Sequence, residues 1–482
     1  TPEKFKERFN IDVRIKQEVI KIDKEKKKLQ IKNKATGEIY IENYDKLVLS
    51  PGAEPINPFK GVKSDRIFTI RNVKDAEKVK TFIENNNPKS AVIVGGGYIG
   101  VEMAENLSEY TMEVSIVEKA PHLISIIDND MAHFIHKEIK KHGVKVYVNE
   151  GVNKIEEHEK LLLTLDNGKI ETDLVILCIG VRPETNLAEE SGINTNEKGA
   201  IIVNNKMQTS NKDIYALGDA VEVKNTITGE RNGIALAGPA NRQARIVANN
   251  INGIESSYEG FIGSSILKIF NYSLGIVGLS ERACKNLDIP YKIMIISPYS
   301  HATYYPGAKM LTIKAIYNSK TSQILGAYVW GKSSVDKITD ILSVAIQNKM
   351  GAADISALEL CYAPPYSSAK SPVNILGNAI ENEMNELVDT IAVEELKNKE
   401  NLYILDVRTI EEYNISHIEG AINIPLDELR ENIEKLDKSK EIIVHCHSGL
   451  RSYLACRILK QKGYNVKNLI GGYIMYDIMK NK

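Results

Sequence analysis

The run AVIVGGGYIGVEMAENL at 91–107 constrains this chain more than any other stretch. An apolar segment of strand length leads straight into Gly95-x-Gly97-x-x-Gly100, and a helix pattern begins at once. In that context each glycine has a task. Gly95 makes the tight turn, Gly97 lets backbone approach a pyrophosphate, and Gly100 lets helix pack on strand, so that the phosphates rest on the helix N-terminus. The next apolar strand, EVSIVE, ends in Glu118, where an acid reads a ribose diol. A carboxylate repels a 2′-phosphate and so favours NADH, but Lys119 and His122 follow immediately. NADH and NADPH both stay open as cofactors.

Around this turn, strands alternate with helices. Residues 74–86 and MAHFIHKEIKKHG (131–143) have helical spacing, while VKVYVNEGV and LVILCIG read as strands. Such alternation predicts an α/β chain with a doubly wound parallel sheet. Residues 11–49 alternate with period two and read as a β-meander with a turn at KATGE. From 261 to 379 come several strands and one long helix, SSVDKITDILSVAIQNKM, an α+β module. Residues 381–401 read as a polar helical connector, and 388–482 as a last, small α/β unit.

Near the end, IVHCHSGLRS (443–452) delivers Cys446 from an apolar strand into a loop closed by Arg451, followed by a helix. Successive N–H groups of such a loop form an anion nest, and the helix N-terminus adds partial positive charge. Both stabilise a thiolate or persulfide. The four-residue spacing between Cys446 and Arg451 resembles the sulfur-handling loop of the rhodaneses, whose related phosphatases carry one residue more.

Net charge is −1, which excludes an electrostatic footprint for nucleic acid or an anionic membrane. KEKKK (24–28) is flanked by acids and reads as a solvated hairpin. No apolar run reaches the ~18 residues that a membrane span needs. The five cysteines (178, 284, 361, 446, 456) show no CxxC spacing, which argues against a disulfide framework and a zinc site. No metal is expected, and a reducing cytoplasm is the expected location. Cys178 and Cys456 read as core, and Cys284 lies on a helix with no charged activation. Cys361 neighbours Tyr362, which makes it the body cysteine nearest chemistry.

SPGAEP (50–55), GGGYIGVE (95–102), CIGVRP (178–183) and ALGDA (216–220) occur in the order seen in the flavin- and pyridine-nucleotide-dependent disulfide reductases, which this chain resembles. LAGPANRQAR (236–245), TYYPGA (303–308) and CYAPPYSSAKSPVN (361–374) resemble, more narrowly, the coenzyme A-disulfide reductases and their NADH oxidase and persulfide reductase relatives. With YILDVRTIEEYNISHIEGAINIP (403–425) and GGYIMY (471–476), the Cys446 loop resembles a rhodanese domain, with Asp406 and Arg408 as its structural charges.

These resemblances imply an FAD-binding domain in two parts, 1–72 and 191–260, an NAD(P)-binding domain at 73–190, a dimerisation domain at 261–380 and a rhodanese domain at 388–482. They imply a homodimer that takes a small disulfide or persulfide, with coenzyme A as substrate or bound ligand. Tyr98 is similar to the tyrosine gating the nicotinamide pocket, and Glu102 to the acid near the carboxamide. Gly180, Gly218 and Asp219 resemble FAD-binding positions, Asp219 on the ribitol, with Ala237, Asn241 and Arg242 on the helix toward the isoalloxazine. Tyr304 and Tyr362 resemble the tyrosines that the dimer partner contributes near the redox cysteine and its disulfide substrate, and Lys370 is the candidate for the coenzyme A phosphates. Tyr305 and Tyr366 stay undecided. The chain opens on TPEKFKERFNIDV, as if entered mid-domain, and the family's first FAD βαβ unit and redox cysteine are expected to lie outside it. Two alternatives remain: an NADH oxidase-type flavoenzyme, or a rhodanese sulfur carrier on an inactive scaffold.

Overall fold

The computed structural model describes residues 1–396 and 402–480 and divides into two compact units, Thr1–Ile56 with Gly180–Phe261, and Asn57–Ile179 with Ile262–Lys482.

In the first unit, strands Gln17–Asp23, Lys28–Asn33 and Ile39–Asn43 form an antiparallel meander. Ile22, Leu29 and Ile31 point into its small core, and the lysine-rich 24–27 segment is the first turn. The meander starts six residues later than the alternation at 11–16 suggests. Ile11 and Ile15 there are exposed, and among the described residues that stretch pairs with no strand. Leu47–Leu49 pairs in parallel with Ile214–Ala216, and Ala53–Pro55 pairs antiparallel with Val181–Pro183. The SPGAEP and GVRP motifs are thus neighbours in space, and the Ile214 strand runs directly into Gly218-Asp219.

The second unit opens with a five-stranded parallel sheet in the order Ile67–Thr69, Leu174–Leu177, Ser90–Val94, Glu113–Glu118, Lys145–Val148. Its central strands are buried along almost their whole length, as a sheet covered on both faces requires. A three-stranded antiparallel sheet, Val152–Glu157, Leu161–Leu165 and Gly168–Thr172, packs Leu161 and Leu163 against Val92 and Val175. An antiparallel five-stranded sheet follows (Ser265–Ile269, Tyr272–Gly278, Ile324–Gly331, Leu311–Asn318, Tyr291–Ile296), with helix Val335–Gln347 along one face.

The expected connector helix at 381–401 is not one element. Helix Pro372–Met384 ends at Asn385, and Asp389–Ile391 is already a strand of the last sheet, with a short helix at Val393–Leu396; residues 397–401 lie outside the described residues. Polar helical spacing there reflected two short helices broken by a buried Ile391 strand. That last sheet is parallel, in the order Asp389–Ile391, Val466–Leu469, Ile442–His445, Tyr403–Asp406, Ile422–Asn423. Strand Ile442–His445 is central, so the residue after it, Cys446, emerges at the carboxyl edge, where open α/β sheets present their ligands.

Candidate functional site

Cys446 is 1% exposed and closely fixed. The Gly449 N–H donates to its Sγ at 3.1 Å and the Ser452 hydroxyl lies 3.5 Å away. The loop's carbonyls are turned outward: the Tyr473 N–H donates to the Cys446 carbonyl at 2.8 Å, and that of Ile474 to the His447 carbonyl at 3.1 Å. Both donors belong to the first turn of helix Gly472–Lys480. A Cβ at Gly472 would strike both carbonyls, which explains the glycine in GGYIMY. With the carbonyls so engaged, the Gly449 N–H, at the start of helix Leu450–Gln461, points at the sulfur, as the anion-nest pattern requires.

Arg451 donates from both terminal nitrogens to Glu412, at 2.6 and 2.7 Å. The guanidinium holds the Glu412 carboxyl down to about 2. Glu412 escaped the sequence reading, although Thr409-x-x-Glu412 is a capping-box pattern, and that box forms here. Asp406 and Arg408 are buried and paired, Nη2 to Oδ2 at 2.6 Å, with Arg408 over the Tyr473 ring. Burial pushes His445 down to about 4.

Three of the other thiols, Cys178, Cys284 and Cys456, are poor sulfur nucleophiles. Burial pushes Cys178 up to about 12 and Cys456 above the ordinary thiol range. Cys284 goes to about 12 through burial and the nearby Asp128 and Glu281. Cys361 is exposed beside Tyr362.

A cavity of about 880 Å³ adjoins the loop. Tyr304, Tyr362 and Lys370 line it together with Ser448, Gly449 and Tyr453, so the two tyrosines and the cysteine loop open onto one space. The Tyr304 and Tyr362 hydroxyls are hydrogen-bonded at 2.8 Å, which raises the Tyr304 phenol. Tyr305 and Tyr366 are exposed.

At the glycine turn, Gly95 has φ 106° and a Cβ at Gly100 would strike the Gly95 carbonyl, whereas Gly97 faces open space. Helix Tyr98–Ser108 begins there without a side-chain cap, leaving its first N–H groups for a ligand. An open, uncapped cradle of this kind fits a dinucleotide pyrophosphate. Glu118 accepts from the Gly96 and Ala120 N–H groups, each at 2.6 Å, and so fixes the turn as well as ending its strand. Tyr98 donates to or accepts from Ser265 at 2.7 Å. Partial desolvation and neighbouring Glu105 raise Glu102 on the same helix.

In the first unit, the Gly218 N–H donates to Gln243 at 2.8 Å, which seats Gly218-Asp219 on helix Ala237–Ile251. That helix also starts uncapped, with Gly238 facing open space and Asn241 and Arg242 exposed. An acid beside an uncapped helix start fits a flavin's polyol and its electron-rich ring edge. Gly180, at φ 111°, accepts at its carbonyl from the Ile56 N–H at 3.0 Å and thereby joins the two motifs of this unit.

Asp128, Asp130 and Glu281 converge at metal-ligand spacing, but the Lys314 Nζ takes the cation's place, 2.7 Å from Asp130 and 2.5 Å from Glu281.

Three family models match: pyridine nucleotide-disulphide oxidoreductase over residues 3–244, its dimerisation domain over 264–372, and a rhodanese-like domain over 390–476. The coenzyme A disulfide reductase of Staphylococcus aureus is 35% identical over 379 residues, 78% of this chain and 85% of that protein. This chain belongs to the pyridine nucleotide-disulphide oxidoreductase family. Among solved structures, the oxidoreductase resembles reduced Bacillus anthracis CoADR-RHD (43% identity, TM-score 0.94, 99% of this chain and 87% of that one). It also resembles an NAD-dependent persulfide reductase from A. fulgidus (34% identity, TM-score 0.93, 98% and 88%). Among the described residues, no helix is long and apolar enough to cross a membrane.

Proposed function

We propose that this oxidoreductase passes electrons from NAD(P)H through FAD to coenzyme A disulfide, coenzyme A persulfide or polysulfide, and that Cys446 carries sulfane sulfur for that reaction. The shared cavity carries the reading: Tyr304, Tyr362 and Lys370 line the same 880 Å³ space as the Ser448-Gly449 segment of the cysteine loop. A flavin held there would supply two-electron redox chemistry between nicotinamide and sulfur.

The protein's own residues do the rest. The glycine turn and the uncapped helix at Tyr98 hold pyrophosphate, and the carboxylate of Glu118 supports NADH over NADPH. Gly218, Asp219, Ala237, Asn241 and Arg242 hold the flavin. One phenol of the Tyr304–Tyr362 pair donates a proton to the departing thiolate while the other stabilises it. Lys370 offers its ammonium to the phosphates of coenzyme A. At the rhodanese loop, the Gly449 N–H and the Ser452 hydroxyl hold the charge on a Cys446 persulfide, and the cavity gives it a path to the tyrosine side. The working unit is a homodimer, in keeping with the matched dimerisation domain.

The test is NADH oxidation by the flavin-loaded full-length protein with coenzyme A disulfide and, separately, polysulfide, in wild type and Cys446→Ser. Loss of polysulfide turnover with retained disulfide turnover supports the relay. Failure of both substrates in wild type, with oxygen consumed instead, replaces this reading with that of an NADH oxidase.

A further inference from the structure

We propose that Glu412 sets the sulfur-donor class of the Cys446 loop: by holding Arg451 it turns the loop away from oxyanion donors such as thiosulfate and toward organic persulfides. The inference rests on the reading that Cys446 carries sulfane sulfur, and goes beyond it by assigning the donor.

The geometry carries it. Both terminal nitrogens of Arg451 are given to the two oxygens of Glu412, and Glu412 is itself pinned by the Thr409 N–H at 3.0 Å. The second arginine at the loop, Arg408, is spent on Asp406 and on the Ser416 carbonyl at 2.7 Å. Burial keeps His445 neutral, and lowers His447 with help from the two arginines. Each cationic group beside the sulfur is therefore matched by a carboxylate or uncharged near neutral pH. At Sγ stand two neutral donors, Gly449 N–H and Ser452 OH, and the Arg451 guanidinium, whose strongest partner is the Glu412 carboxylate rather than the sulfur.

The two candidate reactions differ in charge. With an organic persulfide, Cys446–S⁻ attacks the outer sulfur of R–S–SH, the R–S bond to that sulfur breaks, and Cys446–S–SH and R–S⁻ result. With thiosulfate, the same attack expels sulfite, and Cys446–S–S⁻ is left beside a dianion. Expelling a dianion calls for net positive charge at the loop, and the Glu412 carboxylate cancels that of Arg451.

The test uses the full-length chain, with glutathione persulfide or thiosulfate as donor and cyanide as acceptor, thiocyanate being read. Wild type is expected to favour the persulfide strongly. In Glu412→Gln, the thiosulfate-to-persulfide ratio of kcat/KM is expected to rise about tenfold, carried mainly by a lower KM for thiosulfate. Sulfite is expected to protect Cys446 from iodoacetamide in the variant and not in wild type. Equal use of both donors by wild type, or an unchanged ratio in a folded variant, overturns the inference. If the variant does not fold, the wild-type ratio decides alone. If wild-type Cys446 takes sulfur from neither donor by mass spectrometry, the underlying reading fails instead.

Discussion

The hydroxyls of Tyr304 and Tyr362, 58 residues apart in sequence, share a 2.8 Å hydrogen bond at the edge of the cavity that the Cys446 loop also lines. Two phenols linked this way act as one unit, because either can donate only while the other accepts. Tyr304→Phe and Tyr362→Phe should each lower kcat/KM for coenzyme A disulfide by on the order of tenfold or more. The double variant should lose little beyond either single one, as expected of coupled groups. Steady-state kinetics of the three variants checks this; fully additive losses would show two independent roles.

The glycine turn offers two variants with opposite outcomes. Gly97 has an ordinary φ of −76° and open space around it, so Gly97→Ala should fold like wild type yet bind NADH roughly tenfold more weakly, its methyl standing where phosphate approaches. Gly100→Ala would drive a methyl into the Gly95 carbonyl and should destabilise the fold itself. Thermal melts alongside NADH titrations separate the two effects.

His445 and His136 are buried with values near 4, against an ordinary 6.5. In both, the unfolded chain binds the proton more readily than the fold does. Their neutral burial therefore favours folding fully only above about pH 6.5, and stability falls as pH drops from there toward 4, by at most about 3 kcal/mol per histidine. His445→Asn should flatten part of this slope for the rhodanese domain. Melting temperature measured from pH 7.5 to 4.5 reads it directly.

Lys314 is fully buried among Asp128, Asp130 and Glu281. Removing this cation leaves clustered carboxylates uncompensated, and Lys314→Met should cost about 3–5 kcal/mol. Lys314→Met combined with Asp130→Asn should recover part of that loss. A shift of the denaturant midpoint in the single variant, reduced in the double, is the expected pattern.

Much of this protein is legible in the sequence because local constraints are written locally. A glycine spacing between a strand and a helix marks a phosphate cradle wherever it occurs, since only a missing Cβ permits the turn at Gly95 and the close packing at Gly100. The Cys446-to-Arg451 spacing marks an anion nest for the same kind of reason. The meander, the parallel sheet and the small final α/β unit follow from apolar periodicity.

Other features depend on pairing partners remote in sequence. Whether the segment after Met384 continues as one helix is decided by the Val466–Leu469 strand that captures Asp389–Ile391. The partner of Arg451 could not be read from its own loop. Glu412 sits 39 residues earlier, and only the docking of helix Ile410–Ile415 beside the cysteine loop brings the carboxylate within 2.7 Å. Likewise, nothing in TYYPGA, CYAPPY or CHSGLR states that the three meet. Residue types and spacings determined which chemistry this chain can hold. Tertiary packing alone decided which charges are already neutralised and which sites share a cavity, because Coulomb and hydrogen-bond energies depend on distance in space, not along the chain.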